Sequence, residues 1–202
     1  MELPSYIMKA IDKERKNYKE KELNRLKSMF TLNPQTNRYD YDGNLYRDIL
    51  SNFVSEDRDG FIINFGKVTG NFDCSIIGLK PLKGAPQEVG GSFDCSWNYL
   101  ISLEGAPQKV GRNFKCSENQ LTSLEGAPQK VSGSFRCYNN QLTSLEGAPT
   151  EIDEDFWCSY NQLTSLKGAP QTIGRDFYCE GNPNLHSLDG IGEVRGDIFK
   201  DF

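Results

Sequence analysis

Phe114-Lys115-Cys116-Ser117-Glu118-Asn119-Gln120-Leu121-Thr122-Ser123-Leu124-Glu125-Gly126-Ala127-Pro128 returns 21 residues later as Phe135-Arg136-Cys137-Tyr138-Asn139-Asn140-Gln141-Leu142-Thr143-Ser144-Leu145-Glu146-Gly147-Ala148-Pro149. The same step of 21 separates all six cysteines, at positions 74, 95, 116, 137, 158 and 179. A unit returning at this interval marks a solenoid, in which one unit cannot bury its apolar face alone and neighbours must stack. Phe stands two residues before each cysteine (Phe72, Phe93, Phe114, Phe135, Phe156, Phe177), and Val or Ile six before (Val68, Val89, Val110, Val131, Ile152, Ile173). Leucines follow at Leu79, Leu100, Leu121, Leu142 and Leu163, and again at Leu82, Leu103, Leu124, Leu145 and Leu166, each second leucine closing on Gly-Ala-Pro.

Elementary geometry assigns these slots. Phe and Cys are two apart, so in an extended strand both point into the coil while the residues flanking the cysteine point out. Asn98, Asn119, Asn140, Asn161 and Asn182 fall where the strand must turn, and stacked amides there can bond the backbone of neighbouring coils. In Gly-Ala-Pro, glycine permits unusual φ and proline fixes φ without needing a donor partner, so the back of each coil is expected to be thin and irregular, not helical. Burial of one Val, one Phe and two Leu contributes roughly 1.5 to 3 kcal/mol per side chain before conformational entropy is subtracted, too little for a coil in isolation. The expected fold is a repeat solenoid with short parallel strands.

The unit V-x-x-x-F-x-C-S-x-N-Q-L-T-S-L-E-G-A-P-Q-K, nearly unbroken over Val110 to Lys130, resembles a leucine-rich repeat. More narrowly, F-x-C-S-x-N-Q-L-T-S-L-E-G-A-P is similar to repeats of bacterial and tailed-phage proteins. The resemblance covers roughly residues 61–202 and implies a stacked-coil fold with no particular activity.

The chain has 202 residues, 37% hydrophobic and 25% charged, which fits one continuous core. A formal net charge of −5 and a pI near 5.0 argue against nucleic acid, which needs clustered Lys and Arg to track phosphates. No apolar run approaches the ~18 residues that span a bilayer, and Met1 to Phe30 is charged and lacks the pattern of a leader. A cytoplasmic protein, in host cytoplasm if phage-encoded, is expected. Cysteines in one repeated slot read as small core hydrophobes and not as a disulfide framework. No Cys-x-x-Cys occurs and His186 is the single histidine, so no zinc site is expected, and no cofactor. Two calcium-loop lookalikes, Asp40-x-Asp42-Gly43 and Asp57-x-Asp59-Gly60, fail because the first ligand positions would be Arg38 and Ser55 and the twelfth Ile49 and Gly66.

Two regions are read: residues 1–66 as an N-terminal helix and capping subdomain, and 67–202 as six coils plus a partial seventh. Pro4 suits a first helical turn, and Ile7, Ile11, Tyr18, Leu26 and Met29 fall near one stripe of a helix over residues 3–30 that Asn33-Pro34 ends. Tyr39 to Asn44 reads as strand, turn and strand. The helix carries Lys13, Arg15, Lys16, Lys19 and Lys21 among Asp12, Glu14, Glu20 and Glu22, so it serves as a cap or docks a second partner. Coil one has Ile77 for the turn asparagine, and coil six inserts a residue at Asn182-Pro183-Asn184-Leu185. A seventh strand begins at Val194, and its edge near Phe199 and Phe202 is expected to pair with a second copy or a partner.

No phosphate-binding loop, dinucleotide fingerprint or nucleophile elbow is present, and a thin solenoid seldom holds two carboxylates in a desolvated pocket, so no enzymatic activity is expected. Function is sought where the repeat varies. Immediately before the cysteine run Asp73, Asp94, Lys115, Arg136, Trp157 and Tyr178; two after it run Ile76, Trp97, Glu118, Asn139, Tyr160 and Gly181. Tyr138 replaces a serine and Tyr99 adds a further aromatic. With strands about 4.8 Å apart, Tyr138, Trp157, Tyr160 and Tyr178 are expected to form one patch with Arg136 beside it. Aromatics and Arg dominate interface hot spots, so the candidate partner-binding residues are Lys115, Arg136, Tyr138, Trp157, Tyr160, Tyr178 and Trp97. The expected ligand is a protein; a glycan packing on the aromatic rings is the alternative, and a ladder that only shields the sheet is the purely structural one.

Overall fold

The computed structural model describes residues 5–202; Pro4 and the side chains of Ile7 and Ile11 lie outside the described part. The chain is a parallel β-solenoid. Each coil carries two very short strands, one ending on the Val or Ile and one beginning on the Phe, as in Lys109–Val110 and Phe114–Lys115. The Phe strands stack in register into one seven-stranded parallel sheet from Phe72–Asp73 to Ile198–Phe199. The Val strands form two sheets, with the ladder interrupted between Lys109–Val110 and Lys130–Val131. No helix occurs beyond the 3-10 turn Ser51–Phe53, so the back is irregular as Gly-Ala-Pro implies.

The repeated Phe, Cys and Leu side chains fill the interior, and Val68 to Ile173 join them. The phenylalanines form a continuous spine, with centroids 5.2 Å apart at Phe114 and Phe135 and 5.9 Å at Phe72 and Phe93. The spine enters the cap through Phe65, Phe53 and Phe30 at 5.3, 5.9 and 5.5 Å, so one apolar core crosses from cap to coils. All six cysteines are buried and unpaired, and five donate weakly through Sγ to the next coil's carbonyl, as Cys116 does to Arg136 at 3.4 Å.

Two polar ladders hold the coils in register. The turn asparagines do what their position requires: Asn140 Nδ2 donates to the carbonyls of Cys116 and Cys137, both at 3.1 Å, and its Oδ1 accepts from Leu121 N at 3.0 Å. Each amide thus satisfies groups of two coils that the apolar core would otherwise leave orphaned. The second ladder lies three residues before the cysteine. Asn44 Oδ1 accepts from Asn71 N, Asn71 Oδ1 from Ser92 N and Asn113 Oδ1 from Ser134 N, so it begins in the cap.

The structure departs from the sequence reading in three places, two of them in the cap. Helix α1 spans Ser5–Lys27, and among its described side chains Leu23 and Leu26 near its end pack on the core, while Tyr18 is 72% exposed and Met29, just beyond the helix, 43%. The hairpin joins β1 (Thr31–Asn33) to β2 (Arg38–Tyr41), placing the turn at residues 34–37 rather than within Tyr39 to Asn44, because Asn33 Oδ1 accepts from the N–H groups of Gln35 and Thr36. β2 then runs parallel to β3 (Phe65–Val68), the first Val strand. The aspartates of the first calcium lookalike hold structure: Asp40 accepts from Lys67 N at 2.7 Å, and Asp42 from the Thr69 hydroxyl at 2.6 Å. The third departure is in the coils. Where the residue after the cysteine is serine it does not point out; Ser75, Ser96, Ser117 and Ser159 are buried because the backbone turns immediately after them, whereas Tyr138 and Glu180 in the same slot stay half-buried.

Candidate functional site

That turn follows from the residue two after the cysteine. Ile76, Trp97, Glu118, Asn139 and Tyr160 have φ of 60°, 58°, 55°, 52° and 55°, and Gly181 has 70°. A positive φ of this size is the left-handed region, open to Gly and tolerated by Asn, but costing other residues roughly 1–2 kcal/mol each. It ends strand alternation and turns the next residue inward, Ile77 in coil one and the turn asparagine in the others. It also pushes its own side chain outward: Ile76 is 62%, Trp97 58% and Tyr160 62% exposed.

Beside these posts runs the column before the cysteine. Register pairing places Asp73, Asp94, Lys115, Arg136, Trp157, Tyr178 and Phe199 on successive strands. Phe199 extends the column beyond what the sequence reading took in. Alignment on cysteine hides it, since Lys200 holds that slot, but the 21-residue step from Tyr178 finds it. The column grades from acidic to basic to aromatic. Lys115 Nζ lies 3.3 Å from Asp94 Oδ2, and Arg136 Cζ sits 5.6 Å from the centroid of Trp157. Trp157 stacks on Tyr178 at 3.7 Å, and Tyr178 on Phe199 at 4.5 Å with planes 3° apart. Tyr178 Oη donates to Asp176 Oδ2 at 3.2 Å. Desolvation foremost, then that bond and the surrounding carboxylates, raises the Tyr178 phenol above the ordinary tyrosine range.

The residues of the expected aromatic patch differ in exposure and in neighbours. Trp157 and Tyr178 are half-buried members of a stack, whereas Tyr160 stands exposed beside Gly181, where a Cβ would come 2.5 Å from its ring. Tyr138 joins Trp97, Lys115 and Arg136 instead, around a shallow depression of about 270 Å³ over coils one to four. Asp94, Lys115 and Arg136 line it from one column and Ile76 and Trp97 from the other, with Ser75, Ser96, Ser117 and Tyr138 between and Arg47 of the cap contributing.

In coils one and two the aspartate before the cysteine caps the turn: Asp73 Oδ1 accepts from Ser75 N at 3.0 Å and Ser75 Oγ at 2.6 Å, and Asp94 Oδ1 from Ser96 N at 3.0 Å. Lys115 and Arg136 occupy that place in coils three and four. Among the described residues no group of three or more His, Cys, Asp and Glu is positioned for a metal ion, and no helix is long and apolar enough to cross a membrane. The surface can recognise, through aromatic posts and a half-buried guanidinium. The chain matches no family model, no curated protein and no solved structure.

Proposed function

We propose that the chain is a non-catalytic binding module of the leucine-rich-repeat type that takes a protein partner on the outer side of its Phe sheet. It acts in the cytoplasm as an effector or adaptor, or as an inhibitor of a host protein if phage-encoded. The observation that carries this reading is the backbone at Ile76, Trp97 and Tyr160. Each occupies a left-handed position that glycine fills at lower energy, as Gly181 does in coil six, and each is more than half exposed. Packing does not account for three large side chains kept there against strain; retained strain of this kind gathers at recognition sites, and rigid aromatics supply contact area at small entropic cost. Of the ring faces a glycan would need, those of Trp157 and Tyr178 are turned on each other, on Phe199 and toward Arg136, and the exposed Trp97 and Tyr160 stand three coils apart, which favours a protein ligand. A photo-crosslinking amino acid at Tyr160, compared with one at Glu125 on the back edge, tests this reading in lysate. Protein adducts from position 160 but not 125 are expected; adducts from 125 alone would move the site to the back.

A further inference from the structure

Arg136 faces the depression without a carboxylate. Its directly paired neighbours are Trp157 on one side and Lys115 on the other, and like charges opposed on adjacent strands repel. Lys115 is relieved by Asp94 at 3.3 Å, but among the described residues no acidic side chain comes within salt-bridge distance of Arg136, and its buried Nε has no hydrogen-bond acceptor. Ser117, 1% exposed and lining the same depression, has an Oγ with no partner. Two of its three serine counterparts are satisfied by carboxylates: Ser75 Oγ by Asp73, and Ser159 Oγ by Glu180 at 3.1 Å. The carboxylate beside this serine comes from the residue before its own cysteine in coil one and from the residue after the next cysteine at Ser159; around Ser117 those two places hold Lys115 and Tyr138, so among the described residues no carboxylate reaches it.

The geometry points to a carboxylate-binding site in this depression, filled by an acidic side chain of the partner, with Arg136 and Lys115 as its cations and Ser117 as a hydroxyl donor. Exposed Trp97 and Ile76 on the opposite wall favour an acidic residue with an apolar neighbour. Three cations stand against one carboxylate here, on a chain of net charge −5, so the positive potential is local and suits a short acidic segment better than a phosphate backbone. This inference rests on the proposed protein-binding face and names the chemistry of what it takes.

The test is a titration of the 15N-labelled chain with hexaglutamate blocked at both termini, with hexalysine and hexathymidylate as controls, following the Arg136 Nε–H and Ser117 amide signals. Hexaglutamate at about 1 mM is expected to shift both, and hexalysine neither. Charge-assisted hydrogen bonds are the strong ones, so Arg136→Gln, and Lys115→Gln should the first variant not keep a folded spectrum, should weaken binding at least about tenfold. No shift with hexaglutamate, or unchanged affinity in a folded variant, overturns the site. Equal shifts with hexathymidylate overturn it in favour of phosphate. Loss of the hexaglutamate response while crosslinks from position 160 persist removes this site alone; loss of both removes the binding face as well.

Discussion

The indole of Trp157 lies flat on the phenol ring of Tyr178, with centroids 3.7 Å apart and planes 10° from parallel. Withdrawn from water and donating to Asp176, the Tyr178 hydroxyl is held above the ordinary tyrosine range. The fold favours the neutral phenol, so the stability it contributes is complete below the unfolded tyrosine pKa and is lost as pH rises through the higher folded value. Ultraviolet titration of phenolate should show a late component that Tyr178→Phe removes. In Trp157→Ala that component should move back toward ordinary tyrosine; an unmoved component would mean that the stack does not desolvate the phenol.

Asn140→Ala should destabilise the chain by about 3 kcal/mol or more, because it leaves the Cys116 and Cys137 carbonyls and the Leu121 N–H without their partner. Asn140→Asp should fall in between, keeping the acceptor for Leu121 and losing the donors. Urea denaturation of both variants gives the ranking, and a near-neutral alanine variant would deny the amide ladder its role.

The thiols should label in an order set by position. Burial raises all six, but Cys179, beneath the last coil, is raised only to about 11, whereas Cys74 to Cys158 are raised well above the ordinary thiol value. Thiolate is the reactive form. Native labelling followed by peptide mapping should find Cys179 modified first and the others only on unfolding. Early modification of Cys116 or Cys137 would contradict the packed column.

The 21-residue step, the inward Val, Phe, Cys and Leu, and the turn asparagines were legible because a period and an apolar slot are written in side chains. The left-handed turn was not: Ile76, Trp97, Glu118 and Tyr160 resist that conformation, and only Asn139 and Gly181 hint at it. Missing it, sequence reasoning aimed Ser117 at solvent. The hairpin turn at residues 34–37 was overlooked for a similar reason, since it depends on one bond pattern at Asn33 and not on periodicity.

Relief of that strain is measurable. Ile76→Gly should stabilise the fold by about 1 kcal/mol, because an exposed β-branched residue in left-handed backbone gives up little packing when removed. Asn139→Gly should change stability much less. Thermal denaturation of the two variants is the check, and a clear loss of stability in Ile76→Gly would show that its side chain is held for packing.

The most direct measurement of the binding face is quantitative capture from lysate on three immobilised forms: the natural chain, Glu125→Ala, and Trp97→Gly combined with Tyr160→Gly. Glycine at 97 and 160 suits the observed backbone, so the double variant loses side chains without disturbing the coils. A protein held by the natural chain and by Glu125→Ala should be depleted at least about tenfold on the double variant, as removal of hot-spot anchors requires. Equal retention on all three forms would contradict a partner on the Phe-sheet face.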